Sequence, residues 1–268
     1  MNKINSEKMK KSLLFLLIFL SFQFTNAGVV ILNGLTHVHQ SASGQLITGV
    51  ISLKNTDATE QRVIIYFNDL FQECGKETVL TADFSHKNSI KNWLSTNVNE
   101  HVFKANEEYE LIYTINVPND VEIDGSYWGV LMVEIEKPIK EDELEFGVKL
   151  ESKVRYGIQI IADINERTPS ELEFYDIKIE EPDGNKLINV DLKNLGNYYV
   201  EPTLMLEVFN ANGEQAKKVE VKFKKVYPNS CKAFSLDISG LPKGAYTAVL
   251  IADYGKNIYS IDLEFENK

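Results

Sequence analysis

The segment Asp124-Gly-Ser-Tyr-Trp-Gly-Val-Leu-Met-Val-Glu-Ile-Glu136 is apolar on both faces for most of its length. The side chains of a β-strand alternate between the two faces of the sheet, so every second residue belongs to one face. One face carries only small or apolar residues and is assigned to a sandwich core: Tyr127, Gly129, Leu131, Val133 and Ile135. The segment therefore predicts a strand whose second face must also be shielded from solvent by other residues.

The second face is apolar only at one end, where Trp128, Val130 and Met132 precede Glu134. A local cover is therefore needed rather than a second core. It could be the segment around Trp93, a second domain of the same chain, or an external partner, since an uncovered apolar patch marks an interaction site. Trp93, Trp128, Val130 and Met132 are thus candidate partner-binding residues.

The two-residue period continues along the chain from Gly28 onward. Apolar and polar residues alternate between turn-forming residues in four further segments, at residues 45–54, 61–67, 109–117 and 149–161. Short strands at intervals of about ten residues are typical of an all-β sandwich. Residues 28–164 are therefore predicted to form an immunoglobulin-like sandwich.

A linker is predicted at Asn165-Glu-Arg-Thr-Pro-Ser170, where the alternation stops. About seven further strands are predicted within residues 171–268, which is the usual content of an immunoglobulin-like or fibronectin type III-like sandwich. The fold class is thus all-β, with two immunoglobulin-like β-sandwich domains in tandem. The one weak helical candidate, Ser89-Ile-Lys-Asn-Trp-Leu94, is predicted to be a surface turn that packs Trp93.

Residues 1–27 have the features of a cleaved secretory signal peptide. Lys8, Lys10 and Lys11 precede the apolar run Leu13-Leu-Phe-Leu-Leu-Ile-Phe-Leu20, and Thr25-Asn-Ala27 offers small residues for cleavage. A retained membrane anchor is the alternative, but a spanning helix needs about 20 apolar residues. The mature chain is expected to be exported, to the periplasm or the cell surface of a bacterium, and to contain no transmembrane segment.

The mature chain is strongly acidic. Removal of residues 1–27 takes away four lysines and one glutamate and leaves 24 basic against 38 acidic residues, a net charge near −14. Such a surface repels nucleic acid and anionic membranes, so neither is an expected partner.

The chain contains two cysteines, Cys74 and Cys231, which fall in different predicted domains. An exported protein that relied on a disulfide framework would contain more of them. Two unpaired thiols are expected, with a bridge between the domains as the alternative.

No stretch carries a catalytic signature, so neither an enzyme nor a cofactor is expected. Gly125-Ser-Tyr-Trp-Gly129 lacks the Lys-Ser/Thr ending of a phosphate-binding loop, and no G-x-S-x-G nucleophile elbow occurs. The remaining enzymatic alternative is Cys74 as a nucleophile with His86 or His101 as its base, although nothing in the sequence places them together.

Two segments could bind a metal ion, and neither satisfies the requirements. His37-Val-His39 puts two imidazoles on one face of an extended segment, but the neighbouring Thr36, Gln40, Ser41 and Ser43 are poor candidates for the further ligands that zinc needs. The acidic run Glu141-Asp-Glu-Leu-Glu145 lacks the spacing and the central glycine of a calcium loop. No metal site is therefore expected.

Several segments of the first domain occur in a recognisable order. They are Gly49-Val-Ile-Ser-Leu-Lys-Asn-Thr-Asp57, the segment around Trp93, Ile115-Asn-Val-Pro118, residues 125–134, and Val154-Arg-Tyr-Gly-Ile-Gln-Ile160. In this order the domain resembles the N-terminal domain of WxL-interacting cell-surface proteins. That resemblance implies a first domain that binds peptidoglycan or another cell-envelope component, followed by an immunoglobulin-like domain that binds a protein partner.

Two cations, Lys153 and Arg155, lie in the last predicted strand of the first domain. In this respect the domain is also similar to the first domain of periplasmic pilus chaperones, which place there a cationic anchor for a subunit's C-terminal carboxylate. The companion arginine of that family is absent from Gly28-Val-Val-Ile-Leu-Asn33. This resemblance implies strand donation, in which an exposed edge pairs with a subunit's strand. Alternatively, Lys153 and Arg155 neutralise the acidic loop before them.

Overall fold

The computed structural model describes residues 28–121, 124–136, 153–222, 224–255 and 257–267. The predicted signal peptide, the acidic run at residues 141–145 and the first residues of the strand predicted at 149–161 lie outside the described residues. No helix within the described ranges is long and apolar enough to cross a membrane.

The first domain is a sandwich of two sheets. One sheet has the strand order β1 (Val29–Ile31), β3 (Leu46–Asn55), β8 (Glu108–Asn116) and β6 (Leu94–Thr96). The other has the order β2 (Thr36–Ser41), β10 (Val154–Ile164), β9 (Gly125–Glu136), β4 (Gln61–Phe71) and β5 (Val79–Thr81), with β7 (Glu100–Phe103) also on β4. The chain therefore changes sheets between β1 and β2.

Strand β9 lies inside the second sheet, hydrogen-bonded to β4 on one side and to β10 on the other. Its predicted core face is confirmed, because Tyr127, Leu131, Val133 and Ile135 are buried in the core of the first domain. Leu111, Tyr113 and Ile115 of β8 join the same core from the opposite sheet. Burial of this apolar surface, at about 25 cal/mol per Å², is the main force that holds the two sheets together.

The predicted surface turn around Trp93 contains a single 3-10 turn, Lys91–Trp93. The indole of Trp93 packs on the ring of Tyr127, with 4.8 Å between the ring centroids. Trp93 therefore covers the core face of β9 and not the face that carries Trp128.

The second domain is also a sandwich of two antiparallel sheets. One sheet has the order β11 (Leu172–Glu180), β12 (Leu187–Asn194) and β15 (Cys231–Asp237). The other has the order β14 (Gln215–Val221), β13 (Thr203–Asn210), β16 (Gly244–Asp253) and β17 (Ile258–Asn267). Alternate residues of β12 and β13 are buried, as the two-residue period predicts. The predicted fold class, two immunoglobulin-like β-sandwiches in tandem, is confirmed.

A polar junction joins the domains beside the 165–171 segment. Ser126 Oγ donates to the carboxylate of Asp163 and accepts the N–H of Tyr199 at 2.9 Å, which links β9, β10 and the second domain. Arg167 lies 3.5 Å from Asp163 and stacks over the Tyr199 ring at 4.7 Å. Burial raises the pKa of Asp163, while the hydrogen bond from Ser126 and the charge of Arg167 oppose that shift.

A disulfide also joins the domains, which corrects the expectation of two free thiols. Cys74, in the segment between β4 and β5, is bonded to Cys231 at the start of β15, with their Cα atoms 4.7 Å apart. Nearby, the Gly75 N–H donates to Asp191 of the second domain at 2.9 Å. The two cysteines are separated by 157 residues, so only the tertiary fold brings them together.

Candidate functional site

The second domain covers the apolar end of β9. Trp128, Val130 and Met132 have exposed fractions of 5%, 2% and 4%, and they share one buried cluster with Tyr199 and Tyr227 of the second domain. The Trp128 indole is stacked between His86 and Tyr227, with ring centroids 4.1 Å and 4.4 Å away. In this arrangement the chain itself covers these three side chains, as the alternative of a second domain predicts.

The outer edge of β10 is the candidate site that remains. On one side, β10 pairs with β9 from Val154 to Ile164. On its other side, β2 pairs in parallel with only the second half, from Gln159 to Ile164. Within the described ranges, no strand pairs with the outer side of the first half, Val154–Ile158. This half of β10 is called the open edge.

The open edge presents backbone groups in a defined direction. The Gln159 N–H donates outward, to the carbonyl of Leu35 at 2.9 Å. The pairing with β9 has no register shift, and in an antiparallel pair alternate residues direct both backbone groups to the same side. Arg155 and Gly157 therefore direct their N–H and C=O groups outward, where an added strand could bond to them.

Exposed apolar side chains lie near this edge. Leu32 and Leu35, in the crossover between β1 and β2, have exposed fractions of 51% and 48%. Leu80 of β5 is 40% exposed, and its Cδ2 is 3.9 Å from the position that a Cβ on Gly157 would take. An added strand with apolar side chains would find contacts beside its backbone bonds.

A cationic cluster marks the start of the open edge. Lys153 Nζ and Arg155 Nε each donate to the carboxylate of Glu134 at 2.7 Å, and the Tyr66 hydroxyl donates to it at 3.2 Å. The two cations are 46% and 53% exposed at their side chains, whereas Glu134 is buried. The group carries one net positive charge, and both cations have donors left for a second carboxylate.

The cluster also fixes the charge of its carboxylate. The hydrogen bond from Lys153 has the largest effect and lowers the pKa of Glu134 to about 2. Burial opposes this shift, and the hydrogen bonds from Arg155 and Tyr66 add to it. The Lys153–Glu134–Arg155 group therefore stays charged at every physiological pH.

Sequence reasoning placed Lys153 and Arg155 at this site but missed its other members. The sequence marks Glu134 only as the residue at which the second face of β9 becomes polar, and it does not indicate β2 as the strand that ends the open edge. The register of β9 against β10, which puts Arg155 opposite Glu134, could have been proposed from the two alternating segments. The interpretation of Lys153 and Arg155 as counter-ions of the acidic loop involves residues outside the described part of the chain.

Among the residues that the structure describes, the other candidate groups do not form a recognisable catalytic centre. Cys74 is in a disulfide, so it cannot serve as the thiol nucleophile of the enzymatic alternative. His86 is stacked on Trp128 and lies 3.4 Å from the buried Asp69, to which Ser89 Oγ donates. Burial lowers the pKa of His86, and Asp69 opposes that shift. Within the described ranges, no three or more His, Cys, Asp or Glu side chains form a group suited to a metal ion.

Comparison with known proteins shows similarity in architecture at low sequence identity. No protein-family model matches the chain, and no curated protein sequence matches it. The resemblance to WxL-interacting proteins, with the peptidoglycan binding that it implied, is therefore unsupported. The structure is similar to that of the YadV chaperone, with 14% identity, a TM-score of 0.49, and coverage of 89% of this chain and 99% of that one.

Two further similar structures contain fimbrial or pilus chaperones. One is the CsuC–CsuE chaperone–tip adhesion subunit pre-assembly complex of Acinetobacter baumannii, with 17% identity, a TM-score of 0.49, and coverage of 88% and 98%. The other is the class 5 fimbriae chaperone CfaA, with 13% identity, a TM-score of 0.46, and coverage of 90% and 99%. With TM-scores below 0.5, these similarities carry no argument about function, which rests on the geometry of this chain.

Proposed function

We propose that this chain is an exported, non-enzymatic, chaperone-like protein that pairs an extended segment of a partner protein with the open edge of β10. The single observation that carries the proposal is that β2 covers only residues Gln159–Ile164 of the outer side of β10. The remaining half offers a short template of backbone groups that no described strand pairs with. Strand addition to a sheet edge is a common mode of peptide recognition, in which main-chain hydrogen bonds supply affinity.

The surroundings of the edge define the chemistry of the partner. The exposed Leu35, which adjoins Gln159, and Leu80, which adjoins Gly157, favour a segment with apolar side chains. Lys153 and Arg155 favour a carboxylate at the end of that segment, because their shared counter-ion Glu134 leaves one positive charge uncompensated. The partner is therefore an extended, apolar protein segment that carries an acidic group or a chain terminus.

An oxidising compartment is part of the proposal. Disulfides persist in exported proteins and are rare in the cytosol, and Cys74 and Cys231 form one here. Together with the predicted signal peptide, this supports export to the periplasm, with the cell surface as the less specific alternative.

Binding of peptidoglycan is less well supported by the geometry. Of the tryptophans singled out from the sequence, Trp128 is buried and Trp93 packs on Tyr127, so neither is freely exposed to stack on a sugar ring. The open edge instead offers N–H and C=O groups that point outward, where the strand of a partner could form hydrogen bonds with them. A pull-down on purified peptidoglycan gives the direct check, and retention of the protein there would favour the peptidoglycan reading.

The experiment that tests the proposal uses a peptide library on the immobilised protein. The library contains extended peptides in which apolar and polar residues alternate, with a free C-terminal carboxylate. Peptides of the same composition with their apolar residues in one block serve as controls, as do the alternating peptides with an amidated C-terminus. We expect the alternating carboxylate peptides to be retained most strongly. Equal retention of alternating and block peptides would overturn the proposal.

A further inference from the structure

The two imidazoles of the His37-Val-His39 motif point into the first domain. The motif lies in β2, an edge strand of its sheet, and the burial pattern leaves Val38 exposed while His37 and His39 are partly buried. An edge strand normally directs apolar residues inward. The inward imidazoles of His37 and His39 are therefore polar groups at positions that usually hold apolar side chains, and they need polar partners there.

A phenol from the opposite sheet meets both imidazoles. The hydroxyl of Tyr113 in β8 lies 2.7 Å from His39 Nε2. The Tyr113 ring contacts both imidazoles edge-on, with centroids 6.0 Å from His37 and 5.8 Å from His39. Gly49 makes room for the phenol, because a Cβ there would lie 2.1 Å from Tyr113 Cζ. The two imidazoles and the phenol are thus neighbours within the first domain.

One of these donor atoms has no partner. His37 Nε2 is buried and makes no hydrogen bond with any described residue. A buried polar atom without a partner costs about 1–3 kcal/mol, so such atoms in native proteins are bonded to a water or an ion. An imidazole nitrogen in that situation, beside a second imidazole, is a ready metal ligand.

We propose that His37, His39 and Tyr113 bind one divalent transition-metal ion of the zinc type. Imidazole nitrogens are ligands that Zn²⁺, Cu²⁺ and Ni²⁺ prefer, and a four-coordinate ion would complete its shell with a water. The site contains only two of the usual His, Cys, Asp or Glu ligands, and its third donor is the phenol oxygen. The sequence could not indicate Tyr113, which lies 74 residues after His39.

The ion would crosslink the two sheets of the first domain. Among the described strands of its sheet, β2 pairs with β10 alone, and a metal bond to Tyr113 would connect it to β8 in the opposite sheet. Because β2 determines where the open edge of β10 ends, the ion would hold that boundary in place. This consequence concerns stability and does not depend on the identity of any partner.

The test measures Zn²⁺ binding to the purified full chain after removal of its affinity tag and of bound metal. Isothermal titration with ZnCl₂ is compared with MgCl₂, which imidazole sites do not prefer. The chain has four histidines, of which His86 and His101 lie outside the site. His101→Gln is the matched control, since His101 lies on β7 and its imidazole faces Glu107 at 3.1 Å.

We expect one zinc ion per chain, no binding of magnesium, and loss of zinc binding in His37→Gln and His39→Gln but not in His101→Gln. Zinc should also raise the unfolding temperature of the wild type and of His101→Gln, and leave that of the two site variants unchanged. Circular dichroism confirms that each variant is folded before titration. Absence of zinc binding in the wild type, or unchanged binding in either site variant, would overturn the proposal. Unchanged affinity in Tyr113→Phe would contradict the three-donor site.

Discussion

The two halves of β10 have the same alternating sequence pattern and different surroundings. The second half, Gln159–Ile164, is paired on both sides and is mostly buried between the sandwich core and the second domain. The first half, Val154–Ile158, is paired on one side and begins beside two exposed cations. The difference arises from β2 and the second domain, so the neighbours of a strand, and not its own pattern, decide which half can bind a partner.

The largest effect is expected where the second domain covers the sheet. Trp128→Ala should lower the free energy of unfolding by about 3–5 kcal/mol, because it leaves a cavity between His86 and Tyr227. Tyr175→Ala, at a side chain that is 53% exposed, is the control and should cost less than about 1 kcal/mol. Chemical denaturation measures both. Equal costs would mean that the covered region contributes little to stability.

The disulfide should contribute the next largest effect. Replacement of both Cys74 and Cys231 by serine should lower the free energy of unfolding by about 2–4 kcal/mol, since the bond closes a long loop in the unfolded chain. The polar junction at Ser126 and Asp163 should keep the domains together, so circular dichroism should remain that of the native protein. Loss of the native spectrum would show that the disulfide alone maintains the arrangement.

Acid should weaken the covered region through His86. Its pKa in the folded chain is lowered to about 4 from the usual 6.5, so the unfolded chain takes up a proton at a higher pH than the folded chain does. The stability that neutral His86 provides is complete above pH 6.5 and is lost as the pH falls towards 4, by up to about 3 kcal/mol. Asp69 and Lys91 are the charged groups that face it. Denaturation between pH 7 and 4 should therefore show a shallower loss in His86→Gln, and identical slopes would contradict the assignment.

The smallest effect is expected at the open edge. Two substitutions of Arg155 distinguish the contribution of its charge to peptide binding from that of its backbone N–H. Arg155→Ala removes one half-exposed cation and should weaken peptide binding by about 1 kcal/mol or less. Arg155→Pro also removes the outward N–H and should weaken binding by about a further 1 kcal/mol. Arg62→Ala, which removes a cation bonded to Glu100 and Glu136, is the control. Equal affinities of Arg155→Ala and Arg155→Pro would mean that no backbone bond forms there.

The sequence predicts the local features of this molecule well and its long-range contacts poorly. The two-residue period identifies the strands and the core face of β9, because alternation follows directly from strand geometry. The period contains no information about the long-range contacts. These are the stacking of Tyr227 on Trp128, the disulfide between Cys74 and Cys231, and the contacts of Tyr113 with His37 and His39. These contacts join residues that are 74 to 157 positions apart, and only the packing of sheets and domains brings them together.

The most direct test of strand addition is hydrogen exchange of individual amides, with and without a saturating alternating carboxylate peptide. The amides of Arg155 and Gly157 point outward and should become protected when the peptide binds. Those of Tyr156 and Ile158, which bond to β9, and of Ile161, which faces β2, should be protected already and change little. Peptide binding that leaves Arg155 and Gly157 exchanging as fast as before would contradict the central claim.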